Sequence, residues 1–183
     1  GFFKLPVDHL YAGPILGRHL MAEGLAGASA CVVSPDEGGV RRALSLAEML
    51  GARLATIAKR RPEPNKVEVV EIIGDVRGKD CILIDDMIDT GGSICHGADG
   101  LMARGAKSVV ACCTHAVFSP GAIDRFAASA IKRVIVTNTI PAQWHDHPWA
   151  PNINVLSVAP LLGDAIQRIH TGDSVSALFD RNW

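Results

Sequence analysis

Nine consecutive residues, Asp85-Asp86-Met87-Ile88-Asp89-Thr90-Gly91-Gly92-Ser93, hold three acids, two hydroxyl side chains and a glycine pair. They follow Asp80-Cys81-Ile82-Leu83-Ile84, a continuous apolar run that reads as a strand buried on both faces. They also open a helical pattern over 93–104 that Gly105 ends. A helix N-terminus leaves backbone N–H groups unpaired and carries partial positive charge. Gly91 and Gly92 let that backbone turn with positive φ and approach a ligand closely. Thr90 and Ser93 add hydroxyl donors, and the whole suits a phosphate monoester. Asp85 and Asp86 suit another task, accepting hydrogen bonds from sugar hydroxyls. The plainer alternative is a strand-to-helix turn in which a Ser, Thr or Asp merely caps the helix. Capping needs one acid, however, and three acids crowded at a strand end repel unless a ligand or cation uses them.

Three other segments carry candidate chemistry. Pro35-Asp36-Glu37-Gly38-Gly39 is a turn after an apolar run, with an acid and two glycines. Lys59-Arg60-Arg61-Pro62 begins a charged stretch over 59–66 that reads as a mobile loop, and taken alone it reads as a solvated one. Trp144-His145-Asp146-His147, together with His115, has thin metal-site spacing; Pro141 and Pro148 favour a surface loop or an interface there.

The elements that must position these residues follow from apolar periodicity. Strand patterns occupy 30–34, 53–58, 67–73, 80–84, 108–113, 133–137 and 154–158. Helical patterns occupy 40–50, 93–104, 121–128 and 160–170. Strand–helix alternation with buried apolar strands predicts an α/β fold, a doubly wound, mainly parallel sheet with helices on both faces. Ligands in such sheets sit beyond the carboxyl ends of the strands, which is where the candidate residues fall.

The chain has 183 residues, 48% hydrophobic and 20% charged, with 18 basic and 19 acidic groups and a net charge of −1. That is a globular composition, and its charge balance argues against nucleic-acid and membrane-surface binding. Five cysteines, without a CxxC pair and in apolar surroundings, read as reduced core residues. No apolar run spans a bilayer and no signal peptide opens the chain, so a cytoplasmic location is expected. Gly1-Phe2-Phe3 places two aromatics at a terminus with nothing before them, which reads as the middle of a longer chain.

The run 84–93 resembles the phosphoribosyl diphosphate-binding fingerprint of type I phosphoribosyltransferases. With Met87, Ile88 and the following Ile94-Cys95, it is similar to the form in the ribose-phosphate pyrophosphokinases, which make phosphoribosyl diphosphate. Segments 2–12, 33–39, 58–62, 114–119, 137–141 and 174–179 resemble that family in the same order. The resemblance implies transfer of a diphosphoryl group from ATP to the C1 hydroxyl of ribose 5-phosphate. It implies Asp85 and Asp86 at the ribose, and Asp89, Thr90, Gly91, Gly92 and Ser93 at the 5-phosphate. It also implies Asp36 holding Mg²⁺, with Gly38 and Gly39 at diphosphate, and Lys59 and Arg61 as the catalytic pair, Arg61 also reaching ribose 5-phosphate. Residues 1–12 would be a connecting segment, 13–159 the phosphoribosyltransferase-like domain, and 160–183 a tail packed on a preceding half that supplies much of the adenine site. Without that half the chain is expected to expose an apolar docking face, to bind ribose 5-phosphate weakly and to turn over little. Family members are usually homo-oligomers, and in those regulated by phosphate and ADP the segment 174–179 contributes to an anion site between subunits. Two alternatives share the fingerprint: a phosphoribosyltransferase that consumes phosphoribosyl diphosphate, and a non-catalytic subunit associated with the synthetases.

Overall fold

A computed structural model describes residues 3–60 and 69–179. The chain runs α1 (Gly13–Ala22), β1 (Ala30–Ser34), α2 (Val40–Leu50), β2 (Arg53–Arg60), β3 (Val69–Ile73) and β4 (Asp80–Ile88). It continues through α3 (Gly92–Ala103), β5 (Ser108–Ala116), α4 (Ala122–Ala128), β6 (Ile131–Thr137), β7 (Ile153–Leu156) and α5 (Ala159–Thr171). Seven strands form one sheet in the order β3-β2-β1-β4-β5-β6-β7, parallel except for the β2–β3 pair. The expected α/β architecture is therefore the observed one.

The apolar strand runs explain the two-sided core. Cys31, Val33, Leu83, Ala111 and Val136 pack with α3 and α4 on one face. Ala30, Val32, Ile82, Cys112 and Ile135 pack with α1 and α2 on the other. Successive strand residues point to opposite faces, so a continuous apolar run serves both layers. Each fully buried Val, Ile or Leu side chain contributes about 1.5–3 kcal/mol. Helix α2 occupies its expected residues and stops at Gly51, whose left-handed φ of 59° closes it.

Three features depart from expectation. Helix α1 was not foreseen; Leu16 and Leu20, one turn apart, are its buried stripe, and a Cβ at Gly17 would collide with Met49 of α2. Strand β4 runs on through Ile88 and β5 through Ala116, so Asp85 and Asp86 lie within a strand and not after it. Pairing of Met87 with His115 and Ile88 with Ala116 sustains both strands beyond their apolar runs. Strand β2 also extends through Arg60, so the backbone of Lys59 is strand and not loop, held by antiparallel pairing with Val70. Arg61 and the rest of the expected loop, 61–66, lie outside the described residues.

In the tail, Leu161, Ala165 and Leu178 are buried with Leu10, Ile15 and Val175. The flank of α5 next to that buried stripe leaves Leu162, Ile166 and Ile169 exposed, and Phe3, Leu5 and Val7 are exposed as well. Among the described residues, no helix is long and apolar enough to cross a membrane.

Candidate functional site

The sheet order reverses direction between β1 and β4. The chain leaves β1 toward β2 on one side, while β4 leads to β5, β6 and β7 on the other. The connections after these two strands diverge and leave a crevice at their carboxyl ends. The turn 35–39 and the turn 89–91 flank it. Sequence reasoning named residues on both turns, and the fold brings them to this one place.

On the β1 side, Asp36 Oδ1 accepts the Gly39 N–H at 2.9 Å, and the buried Ser34 hydroxyl donates to the Asp36 carbonyl at 2.6 Å. A Cβ at Gly39 would stand 2.7 Å from Ser34 Oγ, so a side chain there would have to displace that hydroxyl from its bond to Asp36. Among the described residues, no group of three or more His, Cys, Asp or Glu gathers as a metal cage. A lone carboxylate at the crevice is compatible with Mg²⁺, which needs few protein ligands when phosphates and water supply the rest.

On the β4 side, Gly91 is the N-cap of α3 in the left-handed region, with φ of 76°, and no side chain caps the helix. A Cβ built on Gly92 would meet only Thr90 Oγ1, at 3.8 Å, so side chains do not fill the mouth of the turn. Asp86, Asp89 and Thr90 are exposed and Asp85 is half-buried. The turn and the two carboxylates thus lie side by side at the end of β4.

Several side chains that sequence reasoning gave no role hold this arrangement. Arg42 of α2 donates from Nη1 to Asp85 Oδ1 and from Nη2 to Asp86 Oδ2, each at 2.9 Å. Ser119 Oγ donates to Asp89 Oδ1, and the Ser119 N–H reaches the Asp89 carbonyl at 3.2 Å. Arg125 of α4 donates to the Thr90 carbonyl at 2.7 Å. Ser119 reaches Asp89 because Phe118 adopts a left-handed φ of 45°, unusual for a bulky residue. The Phe118 ring is anchored against Phe126 at 5.1 Å and Trp144 at 4.8 Å, which offsets that strain. No sequence signal marks Arg42 or Arg125, since each is an ordinary cation on a helix whose partner lies far along the chain.

The two neighbouring acids are electrostatically unlike. Burial, reinforced by the Asp86 carboxylate, raises Asp85 above the ordinary aspartate value. Burial opposes ionisation of Asp86 too, but the Arg42 charge and the Met87 N–H outweigh it and lower its pKa.

The alternative metal cluster at 144–147 is not assembled. His147 Nε2 bonds Asp124 Oδ1 at 3.1 Å, and its Nδ1 accepts the Trp149 N–H at 3.1 Å. His115 Nδ1 pairs with Thr139 Oγ1 at 2.9 Å, and Trp144 is buried in the aromatic group. A surface depression lined by Ile72, Asp75, Arg77 and Arg104 lies at the opposite end of the sheet and shares no residue with the crevice.

Sheet order and crevice define the phosphoribosyltransferase-like class. APRTase from Giardia lamblia shares the fold, with a TM-score of 0.56 at 13% identity over 68% of this chain and 75% of that one. Residues 56–180 match the model of the phosphoribosyl synthetase-associated domain, and the chain belongs to that family. The crystal structure of phosphoribosylpyrophosphate synthetase from Mycobacterium smegmatis superposes with a TM-score of 0.82 at 42% identity, covering 93% of this chain and 54% of that one. The chain is also 51% identical over 179 residues to ribose-phosphate pyrophosphokinase of Caldanaerobacter subterraneus subsp. tengcongensis, covering 98% of this chain and 56% of that protein. It thus spans about half the length of the curated relatives it matches.

Proposed function

We propose that this chain is the ribose 5-phosphate-binding part of a ribose-phosphate diphosphokinase. One observation carries the reading: the open, glycine-capped turn 89–92 stands beside two carboxylates at the switch point of the sheet. Amides at the start of α3, with Thr90 and Ser93, would take the 5-phosphate. Asp85 and Asp86 would orient the furanose through its hydroxyls, and Asp89 would frame the turn. Names of relatives at 48–51% identity support the reaction.

The 1-hydroxyl oxygen would attack the β-phosphorus of ATP, and the bond from that phosphorus to the α-phosphate oxygen would break to release AMP. Positioning and fixed charge do most of the work in such transfers. Gly38 and Gly39 would let the loop backbone approach the transferred diphosphate closely, with the Gly39 N–H held by Asp36 Oδ1. Lys59 and Arg61 would close over the ATP phosphates and exclude water, with Arg61 also reaching the sugar phosphate. Removing one such cation commonly costs on the order of a hundredfold in rate. Asp36 would help hold Mg²⁺, which when bound neutralises phosphate charge as a Lewis acid.

The remainder of a longer chain would dock on the exposed faces of α5 and of residues 3–7 and complete the nucleotide site. Homo-oligomer formation, phosphate or ADP binding near 174–179, and a cytoplasmic setting belong to the same reading. The test is a coupled assay on the longer protein that carries this chain. Formation of AMP from ATP and ribose 5-phosphate supports it. Diphosphate release from phosphoribosyl diphosphate and a base, without AMP formation, overturns it in favour of a phosphoribosyltransferase.

A further inference from the structure

Two consecutive carboxylates on an ideal strand point to opposite faces and cannot share one partner. Here they do share one. Leu83 and Ile88 belong to the same core cluster although five residues apart, so alternation breaks between them. Asp85 and Asp86 stand within that break. Arg42 reaches both, with its two terminal nitrogens each 2.9 Å from a different carboxylate. Each carboxylate also bonds the backbone ahead of it: Asp85 Oδ1 takes the Asp86 N–H at 2.9 Å and Asp86 Oδ1 the Met87 N–H at 2.8 Å. Both acids are thus held by a main-chain bond and by one planar cation.

Arg42 lies on the first turn of α2, which starts directly after the 36–39 loop. Its Nη1 lies 3.5 Å from where a Cβ on Gly39 would be, so one side chain ties the two walls of the crevice together. Its own side chain is 34% exposed, and its partners are the two carboxylates and not the apolar core. Two like charges side by side would swing apart without a cation between them. A lysine could not replace this arginine, because an ammonium lacks the fixed fork that serves two acceptors at set angles.

We infer that Arg42 is a positioning residue that sets the sugar selectivity of the site by holding Asp85 and Asp86 in one orientation. This rests on the proposed ribose 5-phosphate reading and deepens it. On this reading Arg42 acts through the two carboxylates and not by holding sugar or phosphate itself. Its effect falls on the furanose and not on the monoester, which the start of α3 binds separately.

The test compares the parent chain with R42K and R42Q by calorimetry against two probes. Ribose 5-phosphate reports both arms of the site, and glycerol 3-phosphate reports the monoester arm alone. R42Q is expected to weaken ribose 5-phosphate about tenfold, or about 1.4 kcal/mol, while glycerol 3-phosphate changes less than about twofold. R42K is expected to recover less than half of the lost selectivity. Thermal melts accompany the titrations, and if R42Q melts early then R42K carries the same comparison. Equal weakening of both probes, or undiminished ribose 5-phosphate binding by both variants, overturns the inference. A parent chain that does not prefer ribose 5-phosphate to glycerol 3-phosphate overturns the functional reading itself, and this inference with it.

Discussion

Phe126 lies directly beneath Gly91: a Cβ at that glycine would stand 2.6 Å from the ring, and the glycine already has a left-handed φ of 76°. The turn at the head of α3 is therefore pinned from below by a fully buried aromatic of α4, which also packs on Phe118 and Trp149.

Gly91→Ala should consequently do two things. Left-handed backbone costs an alanine roughly 1–2 kcal/mol, and overpacking against Phe126 adds about 1–3 kcal/mol. Urea denaturation should show a lower midpoint with unchanged slope. Gly92→Ala, where the new methyl meets only Thr90 Oγ1 at 3.8 Å, should cost less in stability. Equal losses at the two positions would contradict the packing argument.

Neighbouring acids should respond oppositely to neutralisation. Asp85, raised chiefly by burial, favours the folded state below the ordinary aspartate value, and that contribution is lost as pH rises through its raised value. Asp85→Asn should therefore raise the melting temperature at neutral pH, with the gain disappearing toward about pH 3. Asp86 is lowered against its burial by Arg42, so its contribution is present above the ordinary value and lost as pH falls through the lowered one. Asp86→Asn should lower the melting temperature at neutral pH, and the loss should shrink in acid. Melts of both variants between about pH 3 and pH 7 decide the matter; shifts of the same sign would refute the assigned environments.

Asp36→Asn preserves an acceptor for the Gly39 N–H while removing the charge. Stability should change by less than about 0.5 kcal/mol. In the longer protein, the Mg²⁺ concentration needed for half-maximal rate should rise about tenfold or more, as expected when a metal loses a carboxylate. An unaltered Mg²⁺ requirement would remove Asp36 from the metal site.

Much of this architecture was legible because buried parallel strands are written as plain apolar runs. Residues 30–34 and 80–84 could hardly be anything else, and the amphipathic stripe of 40–50 fixed α2 together with its stop at Gly51. The strand ends were not legible. Beyond Ile84 and Cys113 the chain turns mostly polar and its alternation breaks, although Ile88 and Ala116 return to the core and main-chain pairing continues to Ala116. Helix α1 was not legible because Gly13, Pro14 and Gly17 are poor helix formers that interrupt its apolar pattern, and only the fold shows Met49 packed against the last. At the site, local motifs revealed Asp36, Asp85, Asp86 and 89–93. Arg42, Ser119 and Arg125 act across 43, 30 and 35 residues of sequence, and only the fold discloses such partners.

On the proposed reading, the start of α3 binds a phosphate monoester while the neighbouring aspartates take its sugar. Amide chemical-shift mapping during titration with ribose 5-phosphate tests this most directly. The largest shifts are expected at residues 89–94, with smaller ones at 85–87. Shifts concentrated at the far end of the sheet, around 72–77 and Arg104, would contradict it.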